Sequence, residues 1–598
     1  MLQGCHYRTS GNQKGTAMGV KLAKTAGVCM GVKRAVDLVI EMARHKGTET
    51  IYTYGPLIHN PQTVELLRKR GVVPIGGIEG ADCAPPGAAI VIRAHGISPA
   101  ERKRIKEKGY RIIDATCPKV AHVQAIIRKH ASAGYAVLIA GDREHPEVNG
   151  LLGFAGGSGI VIGSIGEVKG LPDLPKVCVV AQTTQSLEEY AAIVRSVRER
   201  FPDAVVFETI CDSTEKRQAE VKELAAETDA VFIVGGRNSA NTRRLTELAK
   251  LQEKPAFHIE TAEELAAIDI EPYRSIGVSA GASTPNWIID QVVDTLTGRV
   301  GKRGEFIRTL FRIWVFAVRT DIYSAAGAGC LSLAAALLQG LAVRPHHMVT
   351  ASLYVYAMHI LNRFINRKAS SISSFREKSY LLHEKIYVTL AVFSLVVALG
   401  TAFIAGQAPF ILLFVISLLG VLYYIRLLPA RWRFRSLKDI PGSKNITTAI
   451  AWAVVTALLP WLEAGNDPTP GLIVSFVFVA GIVFIRSALS DILDIQSDRL
   501  FGQETIPVLI GARRTLVLLQ AVSALLFLLL AAAYPAGWAP SLSIVLLTSV
   551  FYIWICFKLY DRRSGFSGVV LEGILESSYI VAGLSAALWR MTVHGPVA

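Results

Sequence analysis

Two hydrophobic patterns divide the chain near residue 305. From Val20 to about Leu296, short β-branched runs alternate with amphipathic stretches of helical period, as in AVLIA before a Gly-rich loop and AVFIVGG before TRRLTELAKL. Such alternation predicts an α/β fold built on parallel strands. Beyond about residue 305, apolar runs long enough to cross a bilayer take over. Nine candidate spans fall near 321–341, 347–365, 386–405, 408–425, 446–462, 470–490, 515–533, 538–557 and 568–588. The stretch RTLFRIWVFAVRT from Arg308 mixes Arg with Phe, Trp and Ile and reads as a segment lying at the membrane interface. The pattern therefore divides the chain into a polar, disordered extension (1–17), an α/β half (18–300), a basic interfacial linker (301–320) and an all-α membrane half (321–590).

One element recurs in the α/β half. VKLAKTAGVC precedes MGVKRAVDLVIEMA, YRIIDATC precedes PKVAHVQAIIRKHA, and AVVFETIC precedes DSTEKRQAEVKELAAE. Each is strand, cysteine, helix. Cys29, Cys117 and Cys211 are 88 and 94 residues apart, so the half reads as three related units, each offering one thiol, that could ring an axis. A thiol at a helix N-terminus is favoured as the thiolate that attacks or binds metal, and the carboxyl ends of parallel strands are where α/β proteins build sites. Burial as small apolar residues would not require the repeat; Cys83 and Cys178 lack this context and read that way. Three thiolates can hold an iron-sulfur cluster with one iron left open, which points to a reductive enzyme rather than an electron carrier.

The loops between these units carry polar groups suited to an anion: His59 in GPLIHNPQ, His95 in VIRAHGISP, His145 and Glu147 in GDREHPEVNG, Thr183 in AQTTQS, Ser239 and Asn241 in RNSANT, and Ser283 in GASTP. A single histidine in such a loop is usually a surface turn residue; three together favour a cradle for a diphosphate. Glu147, beside His145, is suited to moving protons.

Composition narrows the picture. Hydrophobic residues make up 51% of the 598 and charged ones 19%, which excludes a purely cytosolic protein. The formal charge of +15 sits largely in short loops between apolar runs, so it argues for membrane orientation and against nucleic acid. Eight cysteines are too sparse for a disulfide framework and form no CxxC pair, which fits a reducing compartment. The first twenty residues lack the apolar core of a secretory signal, and Met18 stands as an alternative start.

Cys29, DATCP around Cys117, Cys211, and the RAHG, HPE, QTT, NSAN and GAS stretches, in order over residues 19–297, resemble the 4-hydroxy-3-methylbut-2-enyl diphosphate reductase family. The resemblance implies a three-lobed, pseudo-threefold α/β fold around a [4Fe-4S] cluster held by Cys29, Cys117 and Cys211. It implies reductive dehydroxylation of an allylic alcohol diphosphate to isopentenyl and dimethylallyl diphosphates, with a ferredoxin- or flavodoxin-type electron donor. His59, His95, His145, Ser239, Asn241 and Ser283 would bind diphosphate, Glu147 would deliver the proton that lets the hydroxyl leave as water, and Thr183 would orient that hydroxyl. Ala240 replaces a serine that family members can carry.

In the membrane half, SDILDIQSDRLFGQETIPVLIG sets Asp491, Asp494 and Asp498 at i, i+3 and i+7, one face of a helix, and LKDIPGSKN adds Lys438 and Lys444. Clustered carboxylates at a membrane surface suggest magnesium bridging to a diphosphate. With nine spans, these motifs look like the UbiA superfamily of intramembrane prenyltransferases, which implies Mg2+ and prenyl transfer to an aromatic or lipid acceptor. The corresponding first polar motif reads NRFINRKAS: Asn362, Asn366 and Ser370 keep the spacing, but its aspartates are gone. Two readings follow, a bifunctional reductase and prenyltransferase, or a reductase on a noncatalytic lipid-binding anchor. Seventeen Lys/Arg fall in loops on the amino-terminal side of the membrane against Arg344 and Arg590 opposite, which puts the reductase in the cytoplasm at the inner membrane.

Overall fold

A computed structural model describes residues 19–45, 50–76, 84–85, 87–299, 305–365, 384–423, 437, 440–495, 498, 505–561 and 568–594. Cys5, Cys83, Asn366, Ser370 and Lys438 lie outside the described residues.

Twelve parallel strands form three separate four-stranded sheets. β2 (Ile51–Tyr54), β3 (Val72–Ile75), β4 (Ala89–Ile92) and β5 (Arg111–Asp114) make one, in the order β3-β2-β4-β5. β6 (Ala136–Ala140), β7 (Gly159–Ile162), β8 (Val177–Ala181) and β9 (Val205–Val206) repeat it as β7-β6-β8-β9. The third contains β10 (Ala230–Val234), β11 (Ala256–Ile259) and β12 (Ser275–Ala280), and its outer place beside β12 is taken by β1 (Gly19–Leu22). The three units are thus staggered relative to the sequence: the strand before Cys29 does not open a unit of its own but closes the last one. A parallel pairing reaches across the chain at no geometric cost, whereas local pattern cannot reveal it.

The central strands AIVI, VCVVA and AVFIV are buried at every position, the continuous apolar run expected of parallel strands covered on both faces. Each such fully buried aliphatic side chain contributes about 1.5–3 kcal/mol. Cys178 sits in this wall, on β8, and is completely buried.

Among the described residues the membrane half is all helical, and six of its helices are long and apolar enough to cross a bilayer: Glu384–Ala405, Ser443–Ala464, Pro470–Leu493, Ala512–Ala533, Leu542–Tyr560 and Gly568–Val593. Three of the nine expected spans differ. Ile322–Leu338 is short and meets the preceding Thr309–Arg319 helix at 81°, giving a bent pair; Gln407–Leu422 has 16 residues; Pro345–Ile365 has the length but carries His346, His347, His359 and Arg363 among its apolar residues. The bend falls at Asp321, whose φ of 59° is left-handed and whose buried carboxylate accepts from Arg363 Nη2 at 2.9 Å. The helix Glu305–Arg319 exposes Leu310, Phe311, Ile313 and Phe316. Within Ser443–Ala464, Val454–Leu458 widens to a π-helix just before Pro460, whose ring clashes with the carbonyl four residues back.

Candidate active site

The three cysteines occupy equivalent positions in the three sheets. Each follows an outer strand (β1, β5, β9), and each backbone N–H donates at 2.9 Å to a carbonyl two residues past the neighbouring strand: Cys29 to Ala282, Cys117 to Ala94 and Cys211 to Thr183. Each also starts a helix: Met30–His45 follows Cys29, and Cys117 and Cys211 are the N-cap residues of Pro118–Ser132 and Asp212–Glu227. Helix amides face two of the sulfurs: Val32 N–H lies 3.5 Å from Cys29 Sγ, and the N–H groups of Lys119 and Val120 face Cys117. The helix starts are tied together, Lys119 Nζ to Asp212 at 2.9 Å and Arg34 Nη1 to the Thr116 carbonyl at 2.8 Å. Burial, and then the charges of Cys29 and Cys211, push the Cys117 thiol up, against the N–H groups of Lys119 and Val120.

The same symmetry orders the anion-binding candidates. His59, His145 and Ser239 each lie five residues beyond the inner strands β2, β6 and β10, and His95 and Ser283 three beyond β4 and β12. All of these line one cavity of about 100 Å³ with the three cysteines, Glu147, Thr183, Asn241 and Ala240. The imidazole centroids of His59, His95 and His145 are 4.6–5.7 Å apart. Burial first, and then the cations Arg93 and Arg243, lower His59 to about 4; burial, His59 and nearby arginines lower His145 to about 3, and His95 is held well below the ordinary range chiefly by burial. His59 Nε2, His95 Nδ1 and Asn241 Nδ2 are buried without hydrogen-bond partners. Such atoms call for a polar ligand. Ser239 Oγ caps its helix at Thr242 N–H, and Ser283 Oγ donates to the His59 carbonyl at 3.1 Å.

Glu147 is 1% exposed and both its oxygens face Thr183, one accepting from the N–H at 2.7 Å and the other from Oγ1 at 2.9 Å. Burial pushes its carboxyl up despite these bonds and Arg244. Because the Thr183 carbonyl accepts from the Cys211 backbone N–H, Thr183 links the acid to the backbone of the third cysteine. The hydroxyl expected to orient a ligand is thus already engaged with Glu147.

Three features escaped the sequence. Buried Arg217 donates to the Gly27 carbonyl at 2.6 Å and the Ala280 carbonyl at 3.1 Å, bracing the loop before Cys29. Its signal was present: Thr214, Arg217 and Gln218 sit on the same buried helix face as Val221, Leu224 and Ala225. Arg244 pairs with Asp142 at 2.7 Å and donates to the Thr184 carbonyl at 3.1 Å. A Cβ on Gly31 would lie 2.5 Å from Cys117 Sγ, so only glycine allows that approach.

In the membrane half, the helix carrying Asp491 ends at Leu493 with Asp494 as C-cap, Ile495 and Asp498 are again helical, and the Asp498 N–H donates to the Asp494 carbonyl at 2.8 Å. Asp491 and Asp498 are buried and Asp494 is exposed. Lys444 Nζ contacts Asp491 Oδ1 at 2.7 Å and Asn445 Nδ2 contacts Oδ2 at 2.8 Å, while Thr505 donates to Asp498 at 3.0 Å. Lys444, read as a diphosphate contact, is paired with an aspartate. Asn362 Oδ1 is buried and lacks a hydrogen-bond partner.

Thiols and imidazoles line one cavity at the carboxyl ends of three parallel sheets, ahead of a helical domain with membrane-length helices, and so define a two-domain enzyme of α/β and membrane-helical parts. The LytB protein family model matches residues 20–297, and the UbiA prenyltransferase family model matches residues 324–568. The 4-hydroxy-3-methylbut-2-enyl diphosphate reductase of Opitutus terrae is 43% identical over 46% of this chain and 98% of its own length. The chain belongs to that reductase family, with a UbiA prenyltransferase family domain fused behind it. Among solved structures, the reductase of Plasmodium falciparum covers 47% of this chain and 89% of its own at 28% identity (TM-score 0.45). A UbiA homolog from Archaeoglobus fulgidus bound to GPP and Mg2+ covers 46% and 98% at 16% identity (TM-score 0.35).

Proposed function

We propose that the α/β half reduces (E)-4-hydroxy-3-methylbut-2-enyl diphosphate to isopentenyl and dimethylallyl diphosphates in isoprenoid biosynthesis. The carrying observation is the convergence of Cys29, Cys117 and Cys211, each at a helix start, on the cavity lined by His59, His95, His145 and Glu147. The reaction replaces a C–OH bond by C–H, consuming two electrons and two protons and releasing water.

The donor set fits a [4Fe-4S] cluster: three soft thiols at helix starts on one cavity, and orphaned polar atoms beside them for an anion. Held by three thiolates, such a cluster supplies electrons and one open iron. The diphosphate is bound by His59, His95, His145, Ser239, Asn241 and Ser283. Burial keeps the histidines neutral, and a polyanion draws protons onto them, turning ring nitrogens into charged donors. Glu147, kept protonated more readily by burial, gives its proton to the departing hydroxyl. Thr183 fixes the direction of that carboxyl. Electrons come from a ferredoxin- or flavodoxin-type donor.

The proposed architecture is three lobes about the cysteines in 18–300, an interfacial linker in 301–320 and nine helical spans in 321–590, after a disordered 1–17. The excess of Lys/Arg in loops on one side supports a cytoplasmic reductase on a multi-pass inner-membrane protein. The membrane half acts as a lipid-binding anchor. Neutral Asn362, Asn366 and Ser370 are poor Mg2+ ligands, and Asp491 is already paired with Lys444 and accepts from Asn445. The second reading, a bifunctional enzyme with Mg2+-dependent prenyl transfer, draws on Asp491, Asp494 and Asp498.

The test is turnover of the allylic diphosphate by anaerobically purified protein with a reduced donor. Formation of both five-carbon products, lost together with bound iron in Cys117→Ser, is the expected result. Undiminished turnover without iron would overturn it.

A further inference from the structure

At the end of the helix bundle remote from the aspartates, three metal-ligating side chains meet from two distant elements. His346 and His347 stand in the first turn of Pro345–Ile365, and Glu463 in the last turn of Leu459–Ala464. One carboxylate oxygen, Oε2, faces both imidazoles: His346 Nε2 lies 2.7 Å away and His347 Nε2 also contacts it. The other oxygen, Oε1, is held by Arg344. The donor atoms of the three residues all lie within 4.8 Å of one another.

An ion pair that merely fastened the two helices would need only Arg344 and Glu463. Here two adjacent imidazoles crowd the same oxygen, although a single carboxylate charge rewards only one charged donor. The buried Nδ1 of His347 has no hydrogen-bond partner. Glu463 and His347 are each 5% exposed at the side chain, so water does not relieve the crowding. A cation between the ring nitrogens and Oε2 resolves it, replacing shared protons with coordinate bonds. Arg344 on Oε1 then acts as the outer-shell partner that aims the ligating carboxylate.

The geometry points to a transition-metal site of the zinc type formed by His346, His347 and Glu463. Two imidazoles and one carboxylate suit zinc rather than Mg2+ or Ca2+, which prefer oxygen alone. Three protein ligands leave a fourth position for water. The site is independent of Asp491: Lys444, its partner, begins the helix that Glu463 nearly ends, about 28 Å away at 1.5 Å per residue. A bound ion clamps Pro345–Ile365 to Ser443–Ala464 at that end of the bundle.

The test is zinc titration against a chromophoric chelator on the full chain, anaerobic, cluster-loaded and in detergent, with His347→Ala and Glu463→Gln in parallel. One zinc per chain is expected, with affinity reduced at least about tenfold in each variant and reductase turnover unchanged. Absence of zinc binding, or equal affinity in a His346→Ala/His347→Ala double variant, would overturn the site. Should the variants fail to fold, zinc-edge X-ray absorption on the unmodified protein decides. Imidazole scattering at about 2.0–2.1 Å supports the site, whereas sulfur at about 2.3 Å puts the metal on cysteines and removes it.

Discussion

Glu147 couples two tasks through one carboxyl. Its burial favours the protonated form, and the two contacts from Thr183 fix where the proton points. Glu147→Gln keeps the shape but cannot supply a proton, so turnover should fall by about 10²-fold or more with cluster and substrate affinity retained; single-turnover kinetics beside iron analysis would separate these. The three histidines make a different prediction. With His59 lowered to about 4 and His145 to about 3, these imidazoles are uncharged at neutral pH. A polyanion raises those values, so binding takes up protons and weakens as pH rises. Inhibition by inorganic diphosphate should therefore lose strength from about pH 5 to about pH 8, more steeply than in His59→Asn, whose amide does not titrate. Equal slopes would show that the ligand alone titrates. At Gly31, Ala would meet Cys117 Sγ at 2.5 Å; anaerobically purified Gly31→Ala should contain substantially less iron.

The site is assembled from repeated elements more than from individual side chains. Strand, cysteine and helix were legible locally because a thiol after a β-branched run and before an amphipathic run leaves a signature in consecutive residues. The loops holding His59, His95 and His145 were legible as polar, and the family motifs identified their members. The closure of the third sheet by β1 was not, since Gly19–Leu22 pairs with Ser275–Val278 at a distance no local period encodes. Nor was Thr183's double contact with Glu147, because both lie on loops whose meeting depends on neighbouring strands β6 and β8. Arg217 belongs to this scale. It fills the space where the loops after β1 and β12 meet and satisfies one carbonyl from each. Arg217→Met retains bulk but orphans buried carbonyls at about 1–3 kcal/mol apiece. A lower unfolding midpoint and faster loss of iron are expected; an unchanged midpoint would mean water replaces the guanidinium.

At the scale of the whole chain, a reductase centre sits ahead of a membrane domain whose polar motifs are unequal. The acidic motif persists at Asp491, Asp494 and Asp498, but Asp491 is already paired with Lys444 and accepts from Asn445, and the other motif offers Asn362, Asn366 and Ser370 where carboxylates would oppose magnesium. Magnesium diphosphate held between two motifs needs hard, charged oxygens from both. The unmodified protein should accordingly show little or no prenyl transfer on membranes supplied with prenyl diphosphate, Mg2+ and lipid acceptors. Asn366→Asp with Ser370→Asp adds two carboxylates and should strengthen Mg2+-dependent diphosphate binding, which Asp494→Ala should weaken again. That reversal matters, because it separates a rebuilt site from nonspecific attraction of Mg2+ to added charge. Vigorous transfer by the unmodified chain would mean that one acidic motif suffices, with Lys444 exchanging Asp491 for the diphosphate, and would make the protein a bifunctional enzyme.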